Sequence, residues 1–472
     1  MILNKYYTNL KEKVFFKAIK DDSRLVEKGD LFVAIKGKSY DGADFIQDAI
    51  KKGASFIISE HLINSFPSLK VLDSKAELIK LLNFYYPYHK NLNLIGITGT
   101  NGKTTTAVLL NDMLEKFDSS GYIGTNGIIF KKSNYKLKNT TPSNTILYKN
   151  LDSFYFRNIK NAVLEISSEG ILDGRGMNFS YNAIIFTNIS REHLNTHKTM
   201  KKYLNTKLEL FKQLKKDGIA IINHDMKYKN KVMKKIKTKM ISFGMNGGDY
   251  QAKKIISTVD GTLFDLYYKN HYLSQIETPL FGKYNVYNTL SVIAYLYEIG
   301  YPINKIKLEL NDHLKLDGRF DYTKINHRHF IIDFAHTPHA IISVLIELKK
   351  LGFNHIITIL GAQGGKDTGK RVYMGKYASI YSDTLILTSE DPKNESIFKI
   401  FSELNKKIKT DYYLTISRYD AIKLGISLMM PNDVLVIFGK GNENFEIIKN
   451  YKFNYNDKKT LIKLLNSQGF LS

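Results

Sequence analysis

At 472 residues the chain is too long for one ordinary domain and suggests about three. Hydrophobic residues make up 43% of it, which excludes wholesale disorder, and the lack of cysteine excludes disulfides, thiolate metal sites and cysteine nucleophiles. The net charge of +24 comes from scattered lysines, densest over 201–239 and near the C-terminus, with no aromatic-and-basic motif of a nucleic-acid module, so no nucleic-acid partner is expected.

In chain order, residues 1–90 read as a small α/β unit, with strands at 31–37 and 55–60 and a helix over 45–54. The opening MILNKYYTNLKEKVFF lacks the apolar block and small-residue cleavage site of a secretory signal. No run approaches the roughly 18 apolar residues of a membrane span, so no membrane insertion and a cytoplasmic location are expected. From 91 to 317 an apolar strand, a glycine turn and an amphipathic helix lead into strands at 161–167, 182–190 and 218–225, with a lysine-rich helix between the last two. From 318 to 472 four apolar strands, 329–337, 355–363, 383–391 and 433–441, each end in a polar or glycine-rich turn. Helices intervene at 339–352, 373–382 and 418–429. The alternation predicts mainly parallel sheets flanked by helices, with ligands at the carboxyl ends of the strands.

Gly99-Thr100-Asn101-Gly102-Lys103-Thr104-Thr105 follows an apolar strand and opens a helix. Glycines let backbone N–H groups approach phosphate oxygens, and the helix N-terminus favours the anion. Lys103 would contact the β- and γ-phosphates and Thr104 would place its hydroxyl on Mg²⁺. The general pattern has glycine five residues before Gly102, where Ile97 stands, so the loop is a variant of it.

GTNGKTTT resembles the phosphate loop of Mur ligases and of their folylpolyglutamate synthetase relatives, and the likeness runs almost end to end. Asp22-Ser23-Arg24 with KGDLFVAIKGKSYDGADFI resembles the uridine-binding N-terminal domain of the enzymes that add the third or a later peptide residue. Asn139-Thr140-Thr141-Pro142 resembles the family's substrate loop. EISSEGILDGR is similar to the stretch that supplies a magnesium-holding acid and a peptide-holding serine and arginine, here Glu165, Ser168 and Arg175. FTNISREHLNTHKTMKKYLNTK resembles the segment with a metal-binding histidine, His193, and a lysine that becomes carbamylated, Lys207. GKYNVYN is similar to the adenine-contacting helix start and carries Asn285 and Asn288. Asp317-Gly318-Arg319-Phe320 and Asp333-Phe334-Ala335-His336-Thr337-Pro338 match the junction and first strand of the C-terminal domain. GAQGGKDTGKR, ending in Arg371, and GKGNENFE, with Gly439 and Glu443, match loops around the incoming amino acid. The chain departs from common family residues at Glu169 and Asn442, and Glu390-Asp391-Pro392-Lys393 stands where Asp-Asn-Pro-Arg is common.

The resemblance implies three domains (1–90 for the UDP-substrate, 91–317 for ATP, 318–472 for the amino acid), with ATP and Mg²⁺ as cofactors; a monomer is expected. It also implies a ligase that joins a diamino acid to UDP-MurNAc-L-Ala-D-Glu through an acyl phosphate. Lys103, Glu165, His193 and Lys207 would be catalytic, with Thr104, Glu165 and His193 on metal. Ser23, Arg24, Thr140, Thr141, Ser168 and Arg175 would bind the UDP-substrate. Arg319, Asp333 and His336 would join the phosphate loop and the two asparagines around ATP. Arg371, Glu390, Asp391, Lys393, Gly439 and Glu443 would face the amino acid. Lys393 opposite a distal carboxylate and Glu443 opposite a distal ammonium lean to meso-diaminopimelate over L-lysine, with ornithine and lanthionine open. Read on residues alone, Lys207 also fits a solvated helix face, His193 a turn residue and His336 a strand-end cap. A folylpolyglutamate-type ligase or a non-catalytic nucleotide-binding protein are the alternatives. The first should lack the N-terminal Asp22-Ser23-Arg24 domain.

Overall fold

The computed structural model describes residues 1–37, 40–131, 133–311 and 318–467, so Lys38, Ser39 and Asp317 of the motifs above lie outside it. It has the three-part α/β architecture expected, and the described residues fall into two compact units. The first comprises Met1–Gly96, Leu114–Asn182 and Lys212–Lys215; the second comprises Ile97–Met113, Ala183–Phe211 and Lys216–Ser472.

In the first unit β1 (Ile19–Lys20), β2 (Leu31–Val33), β3 (Phe56–Ser59) and β4 (Ser68–Lys70) form a parallel sheet in that order. α1 (Ile46–Lys51) and α2 (Ser74–Tyr85) belong to the same unit. Ile46 and Ala49 of α1 pack with Val26, Phe32, Ala34, Ala54 and Ile57. α2 starts where the Asp73 carboxylate accepts the Ala76 N–H, and it buries Leu78, Leu81 and Leu82 at helical spacing. β5 (Asn93–Thr98) and α3 (Lys103–Phe117) each contribute to both units. After them come β6 (Ser120–Gly124), β7 (Gly127–Phe130), β8 (Ser133–Tyr135), α4 (Asn144–Phe156), β9 (Asn161–Glu165) and α5 (Ser168–Leu172). β9 runs parallel to β6, while β7 and β8 turn back antiparallel. Every residue of β9 is buried, so the chain delivers Glu165 at its end into an enclosed position.

β10 (Tyr181–Phe186) leads into α6 (Leu194–His197) and α7 (Met200–Glu209). Next come β11 (Leu214–Asn223), α8 (Lys229–Met233), β12 (Lys239–Gly244), β13 (Tyr250–Thr258), β14 (Gly261–Tyr268) and β15 (His271–Thr278). In the second unit these strands order as β10-β11-β12-β13-β14-β15. β11 to β13 are parallel and β13 to β15 antiparallel, an edge absent from the sequence reading. The lysine-rich α7 buries Tyr203, Leu204, Lys207 and Leu208, so Lys207 lies on its packed face. α9 (Lys283–Glu298) is largely buried and α10 (Ile303–Leu310) follows it.

The C-terminal part carries β16 (Asp321–Ile325), β17 (Arg328–Asp333), α11 (Pro338–Lys349), β18 (Ile356–Leu360), α12 (Arg371–Tyr381) and β19 (Thr384–Leu387). It continues with α13 (Ile397–Asn405), β20 (Tyr413–Leu414), α14 (Arg418–Leu428), β21 (Val434–Phe438), β22 (Phe445–Ile448), β23 (Tyr451–Asn454) and α15 (Asp457–Ser467). Its sheet orders as β16-β17-β21-β18-β19-β20, parallel except for β16. Residues alternate between faces. Val434, Val436 and Phe438 pack with α11, α12 and α13, whereas Leu435 and Ile437 pack with α14 and α15. Helices thus cover both faces, as the unbroken apolar strands require.

α14 and α15 are tied by a buried pair: Arg418 Nε and Nη2 each donate to Asp457 at 2.7 Å, and both side chains are 0% exposed. Asp457→Ala would strand a buried guanidinium. It should lower the stability of this domain by about 3–5 kcal/mol, read as an earlier urea transition.

Candidate functional site

The phosphate loop leaves β5 and enters α3 at Lys103. Its conformation is set by the segment that follows β10. Thr100 N donates to Asn188 O at 3.0 Å and Asn101 N to Asn188 Oδ1 at 2.9 Å. Thr187 Oγ1 and Asn188 Nδ2 donate to Asn101 O at 2.7 and 2.9 Å. Thr100 Oγ1 lies 3.1 Å from the Tyr203 hydroxyl of α7. Gly102 has φ +84, and a Cβ there would strike Asn288 Oδ1, so both backbone and space require glycine. Asn288 Nδ2 donates to Asn285 Oδ1 at 2.9 Å, and Asn285 Nδ2 to Phe281 O at 2.9 Å. The two asparagines therefore brace the loop from α9. Thr104 and Thr105 are buried at the start of α3.

Two lysines converge on one carbonyl. Lys103 Nζ donates to Gly99 O at 3.0 Å and to Thr100 O at 2.9 Å, and Lys207 Nζ donates to Gly99 O at 2.8 Å. Lys207 is 1% exposed. Burial, then the Lys103 charge, hold its ammonium well below the ordinary lysine range, against an opposing pull from Glu192. A surface lysine on a charged helix is excluded by this burial.

Next to the loop, His193 sits at φ 55 and starts α6. Its neighbour Glu192 is buried and receives His336 Nε2 at 3.1 Å, with Lys370 Nζ at 3.8 Å and His193 Nε2 at 3.6 Å. Burial alone would raise this carboxyl; the His336 hydrogen bond and the charges of His336, His193 and Lys370 outweigh it and hold it well below the carboxylate range. Neither Glu192 nor Lys370 was singled out in the sequence, although Glu192 directly precedes His193. Thr337, the residue after His336, caps α11. Asp333 accepts the Phe320 and Ala335 N–H groups at 2.7 and 2.8 Å, and the Arg319 guanidinium lies 4.3 Å over the Phe334 ring.

At the carboxyl ends of β18, β19 and β21 the charges pair among themselves. Arg371 is 1% exposed and donates through Nη1 and Nη2 to Glu395, to Glu403 and to Gln363 O, so it braces α12 and α13 and both terminal nitrogens are engaged. Lys440, also missed in the sequence, is buried and donates to Asp391 Oδ1 and to Glu443 Oε2, each at 2.9 Å. Glu443 thus already has an ammonium partner. Lys393 is at φ 52; burial and Lys366 lower its ammonium, opposed by Asp391, Glu443 and Glu390. Gly439 passes so close to Glu390 that a Cβ would meet the carboxylate.

In the first unit, Glu165 accepts the Tyr122 hydroxyl and the Thr125 N–H, the latter at 3.0 Å. Thr140 Oγ1 lies 3.0 Å from Thr125 Oγ1. Thr141 Oγ1 donates to Glu165 O at 2.9 Å, and Arg175 Nη1 to Thr141 O at 2.7 Å. The structure therefore joins Glu165, Thr140, Thr141 and Arg175 in one cluster. Ser168 is buried at the start of α5, behind the capping residue Ser167. Ser23 is buried, while Arg24 is exposed and paired with Asp22 at 2.7 Å. Among the described residues no group of three acidic, histidine or cysteine side chains is assembled for a metal. Taken singly, the Glu165 carboxylate of the first unit and the Thr104 hydroxyl and His193 imidazole of the second are donor types that magnesium accepts.

Glu390 is 1% exposed, and neither carboxylate oxygen has a hydrogen-bond partner. Burial raises it from 4.5 to about 7, with Arg418, Lys370 and Lys440 opposing. The folded state therefore holds the proton more tightly than the unfolded chain, and stability falls as pH rises from about 4.5 to about 7. Glu390→Gln should remove that fall and gain about 3 kcal/mol above pH 7, measured by urea unfolding across pH.

The comparisons with known proteins agree with this geometry. Residues 16–79 match the description "Mur ligase family, catalytic domain", 97–296 "Mur ligase middle domain" and 318–441 "Mur ligase, glutamate ligase domain". UDP-N-acetylmuramoyl-L-alanyl-D-glutamate--2,6-diaminopimelate ligase 2 of Clostridium acetobutylicum is 33% identical, over 95% of this chain and 95% of its own. The corresponding ligase of Aquifex aeolicus is 34% identical over 96% and 94%. A solved structure of a UDP-N-acetylmuramoyl-L-alanyl-D-glutamate--2,6-diaminopimelate ligase superposes with a TM-score of 0.66 at 26% identity, covering 97% of this chain and 96% of that one. MurF from Acinetobacter baumannii, 19% identical, shares the fold with a TM-score of 0.70 over 97% and 94%. With relatives of that identity spanning nearly its whole length, the chain belongs to the Mur ligase family.

Proposed function

We propose that the chain is an ATP-dependent, ADP-forming ligase that joins a diamino acid, meso-diaminopimelate before L-lysine, to the D-Glu of UDP-MurNAc-L-Ala-D-Glu in peptidoglycan precursor synthesis. The observation that carries this reading is the convergence of Lys103 and Lys207 on the carbonyl of Gly99 in a braced phosphate loop. A carboxylate and an amine do not condense unaided in water at useful rates. The D-Glu γ-carboxylate attacks the ATP γ-phosphorus, giving an acyl phosphate and ADP. The amine then attacks the acyl carbon, and phosphate leaves.

Lys103 would leave the two carbonyls for the β- and γ-phosphate oxygens, where its charge offsets the charge that gathers in transfer. Lys207, whose burial favours the neutral amine, would in that form be nucleophilic toward CO₂; the carbamate it would form is an anion, and the released proton goes to water. Thr104, Glu165 and His193 are the proposed magnesium ligands, and bound magnesium would balance the phosphate charge. Asn285, Asn288, Arg319, Asp333 and His336 are assigned to the nucleotide side. Ser23, Arg24, Thr140, Thr141, Ser168 and Arg175 are assigned to the UDP-substrate. For the amino acid, Lys393 would meet the distal carboxylate and Glu443, with Glu390 and Asp391 behind it, the distal ammonium. Arg371 acts by holding α12 and α13 in place. No helix among the described residues is long and apolar enough to cross a membrane. A monomer in the cytoplasm, with the domain boundaries 1–90, 91–317 and 318–472, completes the reading.

Phosphate release from ATP should require both UDP-MurNAc-L-Ala-D-Glu and a diamino acid, with meso-diaminopimelate ahead of L-lysine and L-ornithine. Lys103→Ala should cut it by about 10²-fold or more. A preference for lysine would overturn the amino-acid assignment. Absence of release with every diamino acid, in a protein that binds ATP, would overturn the ligase assignment.

A further inference from the structure

Glu192 gathers three basic groups that come from different parts of the second unit. His336 Nε2 lies 3.1 Å from one of its oxygens, Lys370 Nζ 3.8 Å from the same oxygen, and His193 Nε2 3.6 Å from the other. Glu192 and His193 lie beyond β10, beside the phosphate loop. His336 follows β17, and Lys370 immediately precedes α12.

Each contributor is fixed from its other side. His336 Nδ1 faces Phe334 O at 2.9 Å, so both imidazole nitrogens meet acceptors. Leu194 N donates to Asp367 Oδ2 at 3.4 Å, three residues before Lys370. Thr337 Oγ1 donates to Asn101 Oδ1 of the phosphate loop at 3.4 Å. Lys370 and Glu192 are 6% and 5% exposed, so water screens their attraction little.

A cation held by His193 would have His336 and Lys370 as near neighbours. The Lys370 ammonium would repel it unless a carboxylate stood between them. We propose that Glu192 is a positioning residue that offsets the Lys370 ammonium, pairs with His336 and ties both C-terminal loops to His193, so that a divalent cation can be held there. This rests on the reading of His193 as a metal ligand and asks nothing of Glu192 as a ligand itself.

The test is Mn²⁺ binding to the full chain, followed by electron paramagnetic resonance in the presence of a non-hydrolysable ATP analogue. Glu192→Gln should weaken Mn²⁺ by about tenfold, measured well below the lowered melting temperature that loss of a buried pair brings, because the Lys370 ammonium loses its counter-charge. Glu192→Asp, which keeps the charge, should stay near the wild type. Adding Lys370→Met to Glu192→Gln should regain about threefold, a rescue that a merely structural role would not give. Wild-type affinity in Glu192→Gln, no regain in the double variant, or no Mn²⁺ binding by the wild type would each overturn the inference. A wild type that shows the predicted Mn²⁺ pattern but never releases phosphate would overturn the ligase reading alone.

Discussion

The structure around the phosphate loop turns on one carbonyl, that of Gly99, which accepts from both Lys103 and Lys207. Two ammonium groups on one acceptor repel each other, and Lys207 is also withdrawn from water. A loop that tolerates this arrangement must be held rigidly. Asn188, Thr187 and Tyr203 do so from one side and Asn288 from the other. The chemistry follows from the same conflict. Lys103 is parked on weak neutral acceptors that phosphate oxygens would outcompete. Burial and the Lys103 charge shift Lys207 away from the ammonium form and toward the neutral amine.

The C-terminal domain answers with the opposite charge balance. Its strand ends bring Glu390, Asp391 and Glu443 together with Lys370, Lys393 and Lys440 in a region largely shut off from water. Most of these charges cancel in pairs, as burial demands. Glu390 is the exception: it is buried with no hydrogen-bond partner, so its charged form is disfavoured. Arg371 shows the converse: a lone arginine in the sequence, it is engaged by two glutamates in the fold.

Much of this was legible in the sequence because it depends on local pattern. The unbroken apolar strands of the C-terminal sheet, the glycine turn before Lys103 and the buried end of β9 at Glu165 all announce themselves within a few residues. The antiparallel edge of β13 to β15 did not. Its side chains alternate buried, half-buried and buried and then turn mostly exposed in β13, with a bulge between Lys253 and Ile256 that breaks the alternation. Lys207 was hidden among surrounding lysines, since only packing tells which face of α7 is buried. The partners of Arg371, at Glu395 and Glu403, and of Glu192, at His336 and Lys370, lie far along the chain, and no local spacing reveals them. The family resemblance supplied roles for residues; the partners that tune those residues came from the fold.

The central claim is that a carboxylate is phosphorylated at the loop where Lys103 and Lys207 meet, before any amine is joined. Positional isotope exchange in ATP labelled with ¹⁸O at the β–γ bridge tests it most directly, with UDP-MurNAc-L-Ala-D-Glu present and the diamino acid left out. The account predicts that label moves from the bridging to the non-bridging positions of the β-phosphate only when the UDP-dipeptide is present, as reversible acyl phosphate formation requires. Label that stays in the bridge with the dipeptide bound, in enzyme that goes on to release phosphate once the diamino acid is added, would contradict it.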